Sequence, residues 1–154
     1  MARPAVETIV TQSVLDRLMT LDDWPATRSE SLRYFKDALK RDLEWLLNTR
    51  QPPMPEIEQY PLARASMVNY GLPDISAMGF GSANDHKRLR QAIATCLKDF
   101  EPRLMDVQVT VEGTGLTDRS LRFHIEGLMR LDPAPEEISF DTVLELSSGE
   151  YRVK

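Results

Sequence analysis

Apolar residues recur at spacings of three and four through Leu32, Phe35, Leu39, Leu43 and Leu46, which places them on one face of a helix. Ser29 or Ser31 is positioned to cap its start, and Arg33, Lys36, Asp37, Lys40, Arg41, Asp42 and Glu44 form its wet side. Trp45 and Leu47 widen the apolar stripe near the end. Pro52, Pro53, Pro55 and Pro61 then stop the helix near 48–50 and predict a tethered loop. A second helix over 82–100 follows from Leu89, Ile93, Cys96, Leu97 and Phe100, with Pro102 marking its end. A shorter amphipathic helix is predicted after the cap residue Ser13, with Val14, Leu15 and Leu18 facing inward and residues 22–28 breaking it. Residues 66–74 form a short apolar segment closed by turn residues.

After residue 103 the period changes from helical to two. Val107, Val109 and Val111 alternate with Gln108, Thr110 and Glu112, the pattern of a half-buried strand. Gly113, Thr114 and Gly115 are turn material, and Leu121, Phe123 and Ile125 alternate again within 119–130, so the two runs read as a hairpin. Residues 138–146 and 151–153 add one or two strands around Ser147, Ser148 and Gly149. Helices first and strands last predict an α+β domain, its N-terminal helices packed on one face of a C-terminal antiparallel sheet. The expected organisation is a flexible N-terminus over 1–12 and one domain over 13–154.

Composition removes several function classes. Nineteen Lys and Arg against 24 Asp and Glu give a net charge of −5, the wrong balance for a general nucleic-acid binder. A single cysteine, Cys96, excludes an intramolecular disulfide and a zinc site of several thiolates, and two histidines leave little for any other metal centre. No apolar run is long enough to span a membrane, and the N-terminus lacks an apolar signal core, so a soluble cytoplasmic domain without cofactor or metal is expected.

Catalytic material is equally scarce. No Gly-x-Ser-x-Gly elbow occurs, and Gly79-Phe80-Gly81-Ser82 starts like a phosphate loop without the Lys-Ser/Thr pair that would complete it. Glycoside hydrolysis needs two carboxyl groups in a cleft that raises one pKa, and nothing sets two acids in such a place. Glu101 is the least bland acid, but Arg103 nearby favours its ionised form. Cys96 lies on an apolar stripe and reads as a small core residue, and His124 reads as a solvent-facing imidazole on a strand.

Charge layout is more informative than net charge. Lys87, Arg88 and Arg90 cluster with His86 at a helix start, where the helix dipole favours acids, so an acidic partner is a motive for them. Asp132, Glu136, Glu137, Asp141, Glu145 and Glu150 lie in a stretch free of Lys and Arg. At the helix–strand corner, Pro102 fixes the backbone so that Glu101 and Arg103 project in a defined way, either to close the helix end or to form a preorganised docking point.

Residues 41–50 (Arg-Asp-Leu-Glu-Trp-Leu-Leu-Asn-Thr-Arg), 68–74 (Val-Asn-Tyr-Gly-Leu-Pro-Asp) and 100–104 (Phe-Glu-Pro-Arg-Leu) occur in that order. They are followed by Asp-Pro-Ala-Pro at 132–135, Ser-Phe-Asp-Thr at 139–142 and Leu-Glu-Leu-Ser-Ser-Gly-Glu-Tyr at 144–151. Together they resemble the TssE family of type VI secretion baseplate subunits, itself similar to the small baseplate wedge protein of contractile phage tails. The resemblance implies a non-enzymatic assembly part that joins TssF, TssG and TssK in the wedge and starts polymerisation of the TssB and TssC sheath. It implies a cytoplasmic place at a baseplate docked on the inner-membrane complex, with no direct membrane insertion. Glu101, Pro102 and Arg103 match the family's assembly motif. The terminal strands, with Leu144, Leu146 and Tyr151, become candidates for pairing with sheath strands. The family's "lysozyme-like" label keeps a peptidoglycan-cleaving hydrolase as the alternative.

Overall fold

The most strongly periodic segment becomes the longest element, α2 (Arg28–Asn48). Its cap is Thr27, not Ser29 or Ser31. The Thr27 hydroxyl accepts from the Glu30 N–H at 3.2 Å while the Glu30 carboxylate accepts from the Thr27 N–H at 3.3 Å, so two orphan donors are satisfied together. Ser31 instead lies buried inside the first turn, where its hydroxyl donates to the Arg28 carbonyl and accepts from the Val10 N–H. The computed structural model describes residues 8–19, 24–74, 82–112 and 120–154. The turn expected at 113–115 and the glycines of 79–81 lie outside the described residues.

Helix α1 (Val14–Met19) precedes α2. A 3-10 helix (Pro55–Gln59), the short α3 (Pro61–Arg64) and a second 3-10 turn (Met67–Asn69) fill the proline-rich connection. Helix α4 (Ala83–Phe100) starts at Ser82, whose hydroxyl accepts from the Asn84 N–H. Four strands follow, β1 (Leu104–Glu112), β2 (Ser120–Met129), β3 (Glu136–Glu145) and β4 (Glu150–Val153), in spatial order β1-β2-β3-β4 with every pair antiparallel. The fold is α+β, as the change of period predicts.

One face of the sheet is the core. Leu104, Val109, Leu121, Phe123, Ile125, Met129, Phe140, Leu144, Tyr151 and Val153 meet Leu39, Leu43, Leu46 and Leu47 of α2 and Leu89, Ile93, Cys96 and Leu97 of α4. Helix α4 lies against β1 and α2 against β4, so the two helices divide the sheet between them. The opposite face carries Gln108, Thr110, Arg122, His124, Glu126, Ser139 and Asp141, residues that alternate with the buried ones.

The expectation for α1 is corrected. Its apolar residues Val14, Leu15 and Leu18 are 71%, 53% and 66% exposed, and no residue of this helix is buried. The six-residue helix is tied to α2 by the Asp16–Arg41 ion pair and not by its apolar residues. Trp45 is also more exposed than its stripe suggests and is covered by the Arg41 guanidinium, 4.8 Å from the ring centroid.

Candidate functional site: a charged corner and two sheet edges

Helix α4 ends where Glu101 donates its N–H to the Leu97 carbonyl, and the Glu101 carbonyl then accepts from the Leu104 N–H as β1 begins. This tight corner turns the Glu101 and Arg103 side chains onto each other. Arg103 Nε lies 2.7 Å from Glu101 Oε1 and Nη2 lies 2.6 Å from Oε2, a two-point contact with a carboxylate only 4% exposed. Arg103 Nη2 also donates to Asp42 of α2 at 2.8 Å. Asp42 accepts in turn from Arg41, Arg41 donates to Asp16 of α1 at 2.7 Å, and Asp16 accepts from the Ser13 hydroxyl at 2.6 Å. Alternating charges therefore run from α1 through α2 to the α4–β1 corner.

Electrostatics follow this order. Burial works against the charged form of Arg103, but the hydrogen bonds to Glu101 and then Asp42 more than reverse it and hold the guanidinium protonated. The Arg41 hydrogen bond holds the Asp16 carboxyl below its ordinary value. Arg103 also stands over Phe35, 5.8 Å from the ring centroid, and a cavity of about 270 Å³ beside it is lined by Ser13, Asp16, Phe35 and Arg41. The sequence signals the Glu101–Arg103 pair. Asp42, Arg41 and Asp16 were visible only as polar positions of two helices, and the tertiary fold brings them to the corner.

The other expected contact residues fall elsewhere. Lys87, Arg88 and Arg90 are exposed in the first turns of α4, about 20 Å along the helix from the Glu101 corner. The stretch from Asp132 to Glu150 lacks cations in sequence but not in space. Arg28 donates to the Asp132 carbonyl and lies 3.7 Å from Glu136, His124 meets Asp141, and Arg152 lies 3.7 Å from Glu145. The expectation of side-chain contacts from the terminal strands needs correction. Leu144 and Tyr151 are 0% and 1% exposed, packed inward under α2, and Leu146 is half-buried.

The outer edge of β4 is also occupied. The Asn48 side chain donates to the Tyr151 carbonyl and accepts from the Tyr151 N–H, both at 2.8 Å, and Glu44 accepts from the Val153 N–H at 3.2 Å. Two α2 side chains thus satisfy the edge groups that a fifth strand would use. The opposite edge differs. In the β1–β2 ladder the even residues of β1 turn toward β2, so Val109 and Val111 turn their N–H and C=O groups outward. Among the described residues these groups meet no hydrogen-bond partner.

Cys96 is buried, and desolvation pushes its thiol up to about 12 while its Sγ lies 3.3 Å from the Gly71 carbonyl. Alkylation of the native chain by iodoacetamide at pH about 8 is therefore expected to be far slower than that of the same chain in denaturant, because the thiolate is the nucleophile. Equal rates would place Cys96 at the surface. Among the described residues no three His, Cys, Asp or Glu side chains are arranged to hold a metal ion.

The described residues thus place helices on one face of a small sheet, with a buried ion-pair corner and a β1 edge whose outward groups meet no described partner. The chain belongs to the family described as "Baseplate wedge protein gp25", whose profile matches residues 33–134. A chain from the solved structure "The baseplate complex from the type VI secretion system" resembles it at 18% identity and a TM-score of 0.49, over 75% of this chain and 97% of that one. No curated protein matches the chain.

Proposed function

We propose that this chain is a structural, non-enzymatic subunit of a type VI secretion baseplate, joined to TssF, TssG and TssK on the cytoplasmic side. There it starts the TssB–TssC sheath by strand pairing. Membership of the baseplate wedge family supports the structural role. The observation that carries the pairing is the open edge of β1, where Val109 and Val111 present unpaired backbone groups to an incoming strand. Pairing at β4, the edge the sequence favours, would first have to displace Asn48 and Glu44. Lys87, Arg88 and Arg90 form an exposed basic surface for an acidic wedge neighbour. Pro102 and the partly exposed guanidinium of Arg103 present the corner to the wedge.

The rival reading, a peptidoglycan hydrolase, asks for an acid with a raised pKa in a cleft. Glu101, the one buried carboxylate among the described residues, is held by Arg103 on two points. Both of its oxygens are already engaged by the Arg103 guanidinium inside the fold.

The test uses backbone chemistry. Proline is tolerated on an edge strand where its missing N–H faces solvent. Val111→Pro is therefore expected to keep the far-ultraviolet circular dichroism of the wild type yet lose co-purification with TssB–TssC, whereas Asn48→Ala keeps it. Capture of sheath subunits by folded Val111→Pro at wild-type strength would remove β1 as the pairing edge.

A further inference from the structure

Both ring nitrogens of His124 face carboxylates on the outer face of the sheet. Nδ1 lies 2.7 Å from Asp141 Oδ1 and Nε2 lies 3.1 Å from Glu126 Oε1. Asp141 stands directly opposite His124 on β3, and Glu126 is the next residue on the same face of β2. A neutral imidazole carries one N–H, so it can donate to one carboxylate while its lone pair confronts the other. Only the imidazolium donates to both.

The surroundings leave this reading intact. From β1, Thr110 stands opposite and its hydroxyl lies 3.4 Å from the His124 carbonyl, flanked on the outer face by Gln108 and Glu112. From β3, Ser139 and Val143 flank Asp141, and on β2 the next residue in the other direction is Arg122, opposite Glu112. Just past β4, Lys154 donates its N–H to the Asp141 carbonyl at 2.7 Å, and Arg152 of β4 stands opposite Val143. Glu112, Glu126 and Asp141 thus share the outer face with Arg122, Arg152 and Lys154.

We propose that Glu126, His124 and Asp141 form a proton-operated clasp across β2 and β3. It is closed with one net negative charge while the imidazole is protonated, and open with two when the proton leaves. On opening, the neutral ring keeps one carboxylate and releases the other to solvent. No described helix covers this face, so a partner laid on it meets a surface whose central charge is set by pH. A cationic partner gains most as the clasp opens. The Asp141 hydrogen bond moves the His124 titration above its ordinary value, desolvation opposes this, and the Glu126 contact adds to it.

Linkage fixes the sign of the stability effect. A raised folded-state pKa contributes stability that is fully present below the unfolded value and is lost as pH rises through the folded one. Two measurements test the clasp. In an NMR titration of the imidazole, with His86→Gln for assignment, the wild-type His124 is expected to titrate above about 6.5. Asp141→Asn and Glu126→Gln should each bring it down. Titration at or below that value, or a value unmoved by Asp141→Asn, overturns the proposal. In thermal melts, the wild type should melt higher than His124→Gln at pH about 5.5, with the gap closing by pH about 9. A gap independent of pH overturns it as well.

Discussion

Glu101→Ala is expected to lower the stability of the chain by about 3 kcal/mol, seen as a fall in Tm of roughly 6–12 °C. Glu101 is 4% exposed, and its carboxylate accepts two hydrogen bonds from the Arg103 guanidinium and a third from the Arg103 N–H. Its removal leaves a half-buried guanidinium whose remaining anionic hydrogen-bond partner among the described residues is Asp42. Breaking a buried pair from one side costs about 3–5 kcal/mol, and the remaining Asp42 contact places this case at the lower end. The family resemblance, which makes Glu101 part of an assembly motif, implies that this substitution weakens assembly and leaves the fold intact. The burial of Glu101 implies that stability falls first, so an assembly defect in Glu101→Ala has to be read at a temperature where the variant is folded. Replacing both partners, Glu101→Gln with Arg103→Met, should recover part of the loss, because no lone charge is then stranded. A Glu101→Ala melt within about 1 °C of wild type would show the pair to be energetically idle.

Gly71→Ala is expected to cost about 3 kcal/mol as well, through backbone strain and a lost bridge. Gly71 has φ +109°, and a Cβ built there would sit 2.4 Å from the Thr49 carbonyl oxygen and 2.8 Å from its carbon. That oxygen accepts from the Leu72 N–H at 2.8 Å, while the Leu72 carbonyl accepts from the Gln51 N–H at 2.9 Å. The end of α2 is thereby laced to the segment before α4. The obstructing atoms are backbone, so no side chain can swing aside. A lower denaturant midpoint is the expected reading, together with faster alkylation of Cys96, whose thiol contacts the Gly71 carbonyl. A variant with the wild-type midpoint would mean that the segment moves away freely.

How much of this was legible from residues alone depended on whether the signal was local. The stripe Leu39, Leu43, Leu46 repeats every turn, so the face it buries is fixed before any partner is known. Phe123 and Ile125 alternate with His124, and their inward direction follows from the pleat. The stripe on α1 failed because six residues are too few to dictate which side docks, and the Asp16–Arg41 contact decided it instead. Two serines stand close to the Thr27 cap, but only Thr27 has a glutamate three residues on, the capping-box spacing that separates it from Ser29 and Ser31. At the corner, Glu101 and Arg103 are two residues apart and could be read together. Asp42 lies 61 residues from Arg103, and no periodicity links the two.

The sequence by itself determined the two long helices and the strands, their order, their buried faces and, through motifs in register, the family. Each of these rests on local chemistry that repeats along the chain. Only the tertiary structure decided which edge of the sheet stays open. Asn48 and Glu44 reach β4 from a helix about a hundred residues earlier, while β1 has no such neighbour among the described residues. An unpaired backbone group is defined by what fails to approach it in space, and a linear pattern carries no record of that.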